Sequence, residues 1–185
     1  MTTPRPPAAS PAAAAARPER SAAGAAFERD LARYGAHPFL REWSIYAVAV
    51  YRFGQWNDTR RGPLKRVLTQ AYWAAHRVVM AVTHIEIPKE ARIGAGLRIH
   101  HTGPVVVHPA SVVGEDCTIR QGVTIGERRT GGGAPRLGSA VELGAYAQVL
   151  GAVTLGDRVK VGALALVLDD VPDDGVAVAP RAVIR

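Results

Sequence analysis

Between residues 87 and 171 an aliphatic residue returns at every sixth position. The series runs Ile87, Ile93, Ile99 and Val105, slips by two residues to Val107, and continues through Val113, Ile119 and Ile125. After a polar insertion it resumes at Leu137, Leu143, Val149, Leu155, Val161 and Val167. A small or β-branched residue stands four positions after most of these, as at Ala91, Ser111, Ala147 and Ala165, and a glycine directly follows many of them. A period of six fits neither a helix at 3.6 nor a strand at 2. It is the hexapeptide repeat of a parallel β-helix, whose aliphatic residues point into a narrow triangular prism. Three faces of six residues make a coil of roughly 18, and stacked coils bury one continuous core.

The rest of the chain lacks this period. Residues 1–25 are low complexity in Pro and Ala, offer little to a core and are expected to be disordered. From 26 to 83 the pattern is helical. Leu40, Trp43, Ala47, Val50 and Gly54 keep a three-to-four spacing, Arg60 to Pro63 reads as a turn, and a further helix is expected from about Leu64 to Val82. Trp43, Trp56 and Trp73 are expected to form the core between these helices and the first coils. The alternative for them is an interfacial membrane patch, because Lys and Arg flank apolar faces here. Residues 84–185 form the β-helix domain. Val167 to Pro172 is expected to close the prism, with Asp169, Asp170, Asp173 and Asp174 as a solvated cap and an extended tail beyond.

Composition sharpens the boundary near residue 84. Ten of the eleven aromatics precede residue 74, so the repeats carry only Tyr146 and their core is aliphatic. Residues 1–83 hold 12 Lys/Arg against 5 Asp/Glu and residues 84–185 hold 11 of each, which assigns the formal +7 to the N-terminal part. The arginines lie along a tail and helices without interleaved stacking aromatics, so no nucleic-acid partner is expected. The single Cys117 excludes an internal disulfide and a multi-cysteine metal site, and its place at a small-residue slot predicts a buried, inert thiol. The chain shows no secretory signal, and its longest apolar run, Trp43 to Tyr51, is too short to span a bilayer. A cytoplasmic protein without a membrane partner is expected.

A β-helix is a rigid post, so chemistry must come from residues that break the repeat. One break is His100–His101–Thr102–Gly103–Pro104, directly before the slip. The other is the glycine-rich excursion Glu127 to Arg136. Ile99 points inward, which places His100 and His101 at a corner near solvent, where a histidine can accept a proton near neutral pH. Surface histidines with no catalytic role are the alternative. His84, His100, His101 and His108 match no standard zinc spacing, and no metal is expected.

The run from Ile85 through GVTIG, the excursion, LGAYAQVLGAVTLGDRVKVGA and VLDDVP resembles the serine O-acetyltransferase family over about residues 84–185, with weaker similarity around YRFGQW. The resemblance implies a left-handed parallel β-helix and an acyltransferase that uses acetyl-CoA as co-substrate. L-serine would be acetylated for cysteine biosynthesis. His101 matches the family's general base. Glu86 matches the acidic residue that orients it, and their separation of 15 residues would bring them together at one corner. Gly126, Gly144, Ala145, Gly162 and Ala163 match positions whose small residues admit the acyl carrier, and Lys160 matches a basic residue near its nucleotide. The alternative for these is that Gly and Ala satisfy coil corners and Lys160 faces solvent. A homotrimer is implied, with pairing into hexamers left open, and O-acetylserine sulfhydrylase is an implied partner.

Two departures bear on the acceptor. The family's aspartate directly before the base is here His100, which takes the position of a substrate contact. Its Arg-His-Pro triplet is here Gly133–Ala134–Pro135. Ala134 therefore stands where an acceptor contact is expected, and Arg128, Arg129 and Arg136 are the candidates to replace the arginine. The family's acceptor-binding aspartate in the helical domain has no match. The same chemistry on a sugar or natural-product hydroxyl or amine, and a non-catalytic scaffold, are the alternative readings.

Overall fold

The computed structural model describes residues 20–181, with side chains from residue 23 onward. Its helices are α1 (Arg20–Ala32), α2 (Pro38–Arg41), α3 (Ser44–Asp58) and α4 (Pro63–Thr83). Then come strands β1 (Ile85–Glu86), β2 (Arg92–Ile93), β3 (Arg98–His100), β4 (Val105–Val107), β5 (Val112–Val113), β6 (Thr118–Arg120) and β7 (Thr124–Gly126). Beyond the excursion lie β8 (Arg136–Leu137), β9 (Glu142–Leu143), β10 (Gln148–Leu150), β11 (Thr154–Leu155), β12 (Lys160–Val161), β13 (Leu166–Val167) and β14 (Val176–Ala177). Every third strand joins the same parallel sheet: face A is β1-β4-β7-β10-β13, face B is β2-β5-β8-β11 and face C is β3-β6-β9-β12-β14. This is the left-handed parallel β-helix. The expected inward residues, from Ile87 to Val167, are all buried.

Coil length varies where the repeat breaks. Ile99 pairs with Ile119, a coil of 20, and the two extra residues are the slip at the His100–Pro104 corner. Ile125 pairs with Val149 across the excursion, a coil of 24, whereas Val149 pairs with Val167, a coil of 18. Two corners recur in a left-handed backbone conformation. One carries Asp116, Ala140, Arg158 and Asp174, and the other carries Tyr146 and Leu164, all with φ between 56° and 63°. Non-glycine residues resist that conformation, and the hydrogen bond each amide donates to the coil below offsets the cost.

The helices sit on the open end of the first coil. At its centre, Arg52 and Asp30 are 4% and 0% exposed and form a two-pronged ion pair. The expected disorder of 1–25 lies outside the described residues up to residue 19. From Arg20 the chain is helical and buries Ala23, because α1 packs along α3.

The tryptophans depart from expectation. Trp43 is 59% exposed and Trp73 37%, while Trp56 is half-buried under the Arg60 guanidinium. The buried aromatics are instead Tyr34, Tyr51 and Tyr72. The aspartates at the far end also do more than face solvent: Asp170 and Asp173 accept hydrogen bonds from the amides of Thr154 and Asp157, and Asp174 pairs with Arg158. After them β14 adds a partial coil onto β12.

Candidate active site

The break at residues 100–104 forms the corner between faces C and A. His100 ends β3, opposite Arg120, and His101 follows in a left-handed conformation with φ 65° and an exposed side chain. The two rings lie 6.3 Å apart. Burial, and after it the cations Arg98 and Arg120, hold His100 below its ordinary range and favour the neutral imidazole.

Above this corner, the turn between α2 and α3 completes a cavity of about 470 Å³ lined by Arg41, Glu42, Trp43, Ser44, Arg98, His100, His101 and Thr102. Arg98 is 9% exposed. Its Nη2 donates to Glu42 at 2.6 Å and its guanidinium stacks 4.0 Å over the Tyr34 ring. Ser44 Oγ donates to the Ile99 carbonyl at 2.8 Å, tying this turn to the strand before the histidines. Arg98, Glu42 and the exposed face of Trp43 are the wall residues that sequence reasoning missed. A cation beside the inward Ile99 was the available signal for Arg98, but its partner comes from a segment 56 residues away.

The expected dyad is not formed among the described residues. Glu86 lies on face A beside Val106, and no hydrogen bond or ion pair joins it to His101. The first coil holds 20 residues, so a separation of 15 leaves His101 in the turn before face A begins. Glu86 instead lies near enough to His76 of α4 to favour that ring's protonated form, although burial outweighs it and lowers the His76 pKa.

Small residues continue down this corner from the histidines. Gly103, Gly122, Gly144–Ala145 and Gly162–Ala163 occupy successive coils, and Tyr146 donates its amide to Gln121 as Leu164 does to Ala145. At Gly144 the stacking of coils alone demands glycine, since a Cβ would meet Ala163 N at 2.6 Å. At Gly162 a Cβ would make only ordinary contacts, nearest 3.4 Å, and the same holds at 3.5 Å for Gly126, which lies outside this column at the end of β7 beside the excursion, so packing does not account for glycine at either. Lys160 projects from face C, 63% exposed and 3.8 Å from Glu142.

The excursion lies elsewhere, at the corner between faces A and B. There Arg128, Arg129 and Gly132 help to line a cavity of about 430 Å³ with Leu150 to Val153. Ala134 is half-buried and Arg136 points outward from face B. One chain therefore places His100 and His101 at one edge of the prism and Ala134 and Arg136 at another. Cys117 is buried, and burial pushes its thiol up to about 11.

No family model matches the chain. It is 41% identical over 153 residues, 77% of this chain and 93% of the relative, to an Escherichia coli protein named "Putative colanic acid biosynthesis acetyltransferase WcaB". It is 40% identical over 141 residues, 75% of this chain and 78% of the relative, to a serine acetyltransferase of Helicobacter pylori. Among solved structures, soybean serine acetyltransferase superposes with a TM-score of 0.72 at 29% identity, covering 86% of this chain and 67% of that one.

Proposed function

The chain belongs to the serine O-acetyltransferase family, and on that premise we propose that it transfers the acetyl group of acetyl-CoA to a hydroxyl, with His101 as general base. The observation that carries this reading is an exposed histidine, fixed in a left-handed turn, on the wall of a cavity and at the head of a column of small residues. His101 takes the proton of the acceptor hydroxyl as its oxygen attacks the thioester carbonyl. The tetrahedral intermediate collapses, the C–S bond breaks, and His101 returns the proton to the departing CoA thiolate. An O-acetyl ester and CoA result. The acetyl-CoA arm would run down the corner past Gly144–Ala145 and Gly162–Ala163, with Lys160 near its nucleotide.

A homotrimer completes this site. Ala134 and Arg136 sit one prism edge away from the histidines, so the excursion reaches an acceptor at His101 only from a neighbouring copy. Glu86 is the carboxylate proposed to orient the base. Acetyl-CoA as donor and a free thiol as the sole cysteine fit a cytoplasmic setting.

Serine, for cysteine biosynthesis, is the acceptor the family name supplies. A carbohydrate hydroxyl is the second reading, and the cavity wall favours it. An acidic residue is replaced by His100, the Arg98–Glu42 pair offers donors and acceptors, and Trp43 presents a ring face of the kind sugars stack on. The relative named for colanic acid synthesis points the same way. Release of CoA thiol from acetyl-CoA, followed with L-serine and with a panel of hexoses and uronic acids, separates the two. His101→Ala should lower kcat by roughly 10²–10⁴-fold with little change in KM for acetyl-CoA, and His100→Ala should act through the acceptor KM. Wild-type kcat in the His101 variant would overturn the assignment.

A further inference from the structure

Helix α4 has a side that nothing in the described chain covers. Of its 21 residues only Tyr72 and Thr83 are buried. Leu64, Val67, Ala71, Ala74, Val78 and Ala81 are all exposed and follow one another at steps of three and four, which sets them on a single stripe. Leu64, Val67 and Val78 are 56%, 66% and 63% exposed. Trp73 borders the stripe, beside a shallow groove of about 550 Å³ lined by Gln70, Trp73, Ala74 and Arg77. At 1.5 Å per residue the helix is roughly 30 Å long.

Along α4 itself the charge has one sign. From Thr59 to Ile85 the chain contains no Asp or Glu, while Arg60, Arg61, Lys65, Arg66 and Arg77 bring five cations. Arg61, Arg66 and Arg77 form no ion pair among the described residues. A second copy laid on this face would bring cation against cation, and residues 1–19, with Arg5 and Arg17 against Glu19, are themselves basic. An anionic surface with an apolar interior complements both the stripe and its flanks. The helix is not a membrane span: no helix among the described residues is long and apolar enough to cross a bilayer.

We infer that the exposed face of α4 docks the protein, lying flat, on an anionic lipid bilayer. The apolar stripe enters the headgroup boundary, Arg66 and Arg77 meet lipid phosphates beside it, and Trp73 sits at the interface. This inference is independent of the acetyl acceptor. It assigns the place from which the enzyme works: the reaction would be held at a membrane surface, beside substrates carried there.

The test is flotation of the full-length protein with vesicles of phosphatidylcholine alone or of phosphatidylcholine and phosphatidylglycerol in equal amounts. The wild type should float with the mixed vesicles and stay below with phosphatidylcholine, and about tenfold more salt should release it. Val67→Glu with Val78→Glu should abolish flotation, and Arg66→Glu with Arg77→Glu should weaken it by at least about tenfold. Both should keep the melting temperature and acetyl-CoA turnover in solution. Failure of the wild type to float, or flotation that survives Val67→Glu with Val78→Glu, overturns the inference. So does a wild-type mass in sedimentation that halves in that double variant, which would assign the face to a second copy.

Discussion

The two ends of the prism face one problem and solve it differently. Each end exposes the unpaired N–H and C=O groups of a last coil, an edge that invites pairing with another chain. At the N-terminal end, buried side chains from the helices satisfy that edge. Tyr51 accepts from Ile93 N at 3.0 Å and donates to Ala91 O at 2.9 Å; Tyr34 accepts from Ile99 N at 3.0 Å; Asp30 accepts from Leu97 N at 2.7 Å. Arg52 donates to the carbonyls of Ile93 and Gly94. At the C-terminal end, short exposed carboxylates serve. Asp170 and Asp173 accept from Thr154 N and Asp157 N at 2.7 Å and 2.9 Å, and Arg158 pairs with Asp174 at 2.7 Å. The difference is water. A lost cap at the C-terminal end is replaced by solvent, and a lost cap under the helices is not.

The largest effect is therefore expected at the buried pair. Asp30→Ala strands the Arg52 guanidinium and the Leu97 amide, and breaking such a pair costs about 3–5 kcal/mol. Thermal unfolding should show a melting temperature lower by roughly 10 °C. A loss under about 1 kcal/mol would mean that water reaches this end as well.

Next comes Tyr51→Phe, which keeps the ring and removes the hydroxyl shared by Ile93 N, Ala91 O and Gln55. Leaving those groups unsatisfied should cost about 1–3 kcal/mol in chemical denaturation. An unchanged midpoint would contradict the capping role.

The ends should also titrate in different windows. Burial lowers the pKa of His100 and His76 below their ordinary 6.5, so between the native value and 6.5 the unfolded chain binds more protons. Their contribution is complete above 6.5 and declines as the pH falls beneath it. At the far end, the hydrogen bonds from Arg158 hold Asp174 below its ordinary 3.8, and its contribution is complete above that value and declines only as the pH falls through the native one. Melting temperatures between about pH 7 and about pH 5 should fall with acid, and His100→Gln should flatten the slope. A slope that Arg158→Ala flattens instead would reverse the assignment. The smallest effect belongs to Arg158→Ala at neutral pH, because both partners are exposed, 55% and 66%. Its melting temperature should match the wild type's in low and high salt.

The six-residue period determined the prism and every inward residue from Ile87 to Val167, because each coil touches only its neighbours and the same local demand repeats. The same period marked the two breaks, and hence the corner of His100 and His101 and the excursion at Glu127 to Arg136. The ends and the site were left to tertiary structure. Trp43, Trp56 and Trp73 are the larger apolar residues, but an edge presenting N–H groups needs acceptors. A tyrosine hydroxyl accepts where an indole N–H only donates, so Tyr34, Tyr51 and Tyr72 take the buried places. Glu86 and His101 are 15 residues apart on paper, yet a coil of 20 sets Glu86 in register with Val106, five residues beyond His101. Arg98 and Glu42 meet only because α3 is seated on the first coil. A repeat is a local property that the chain spells out. A cap or a cavity wall joins segments distant in sequence, and only the folded arrangement decides which of them meet.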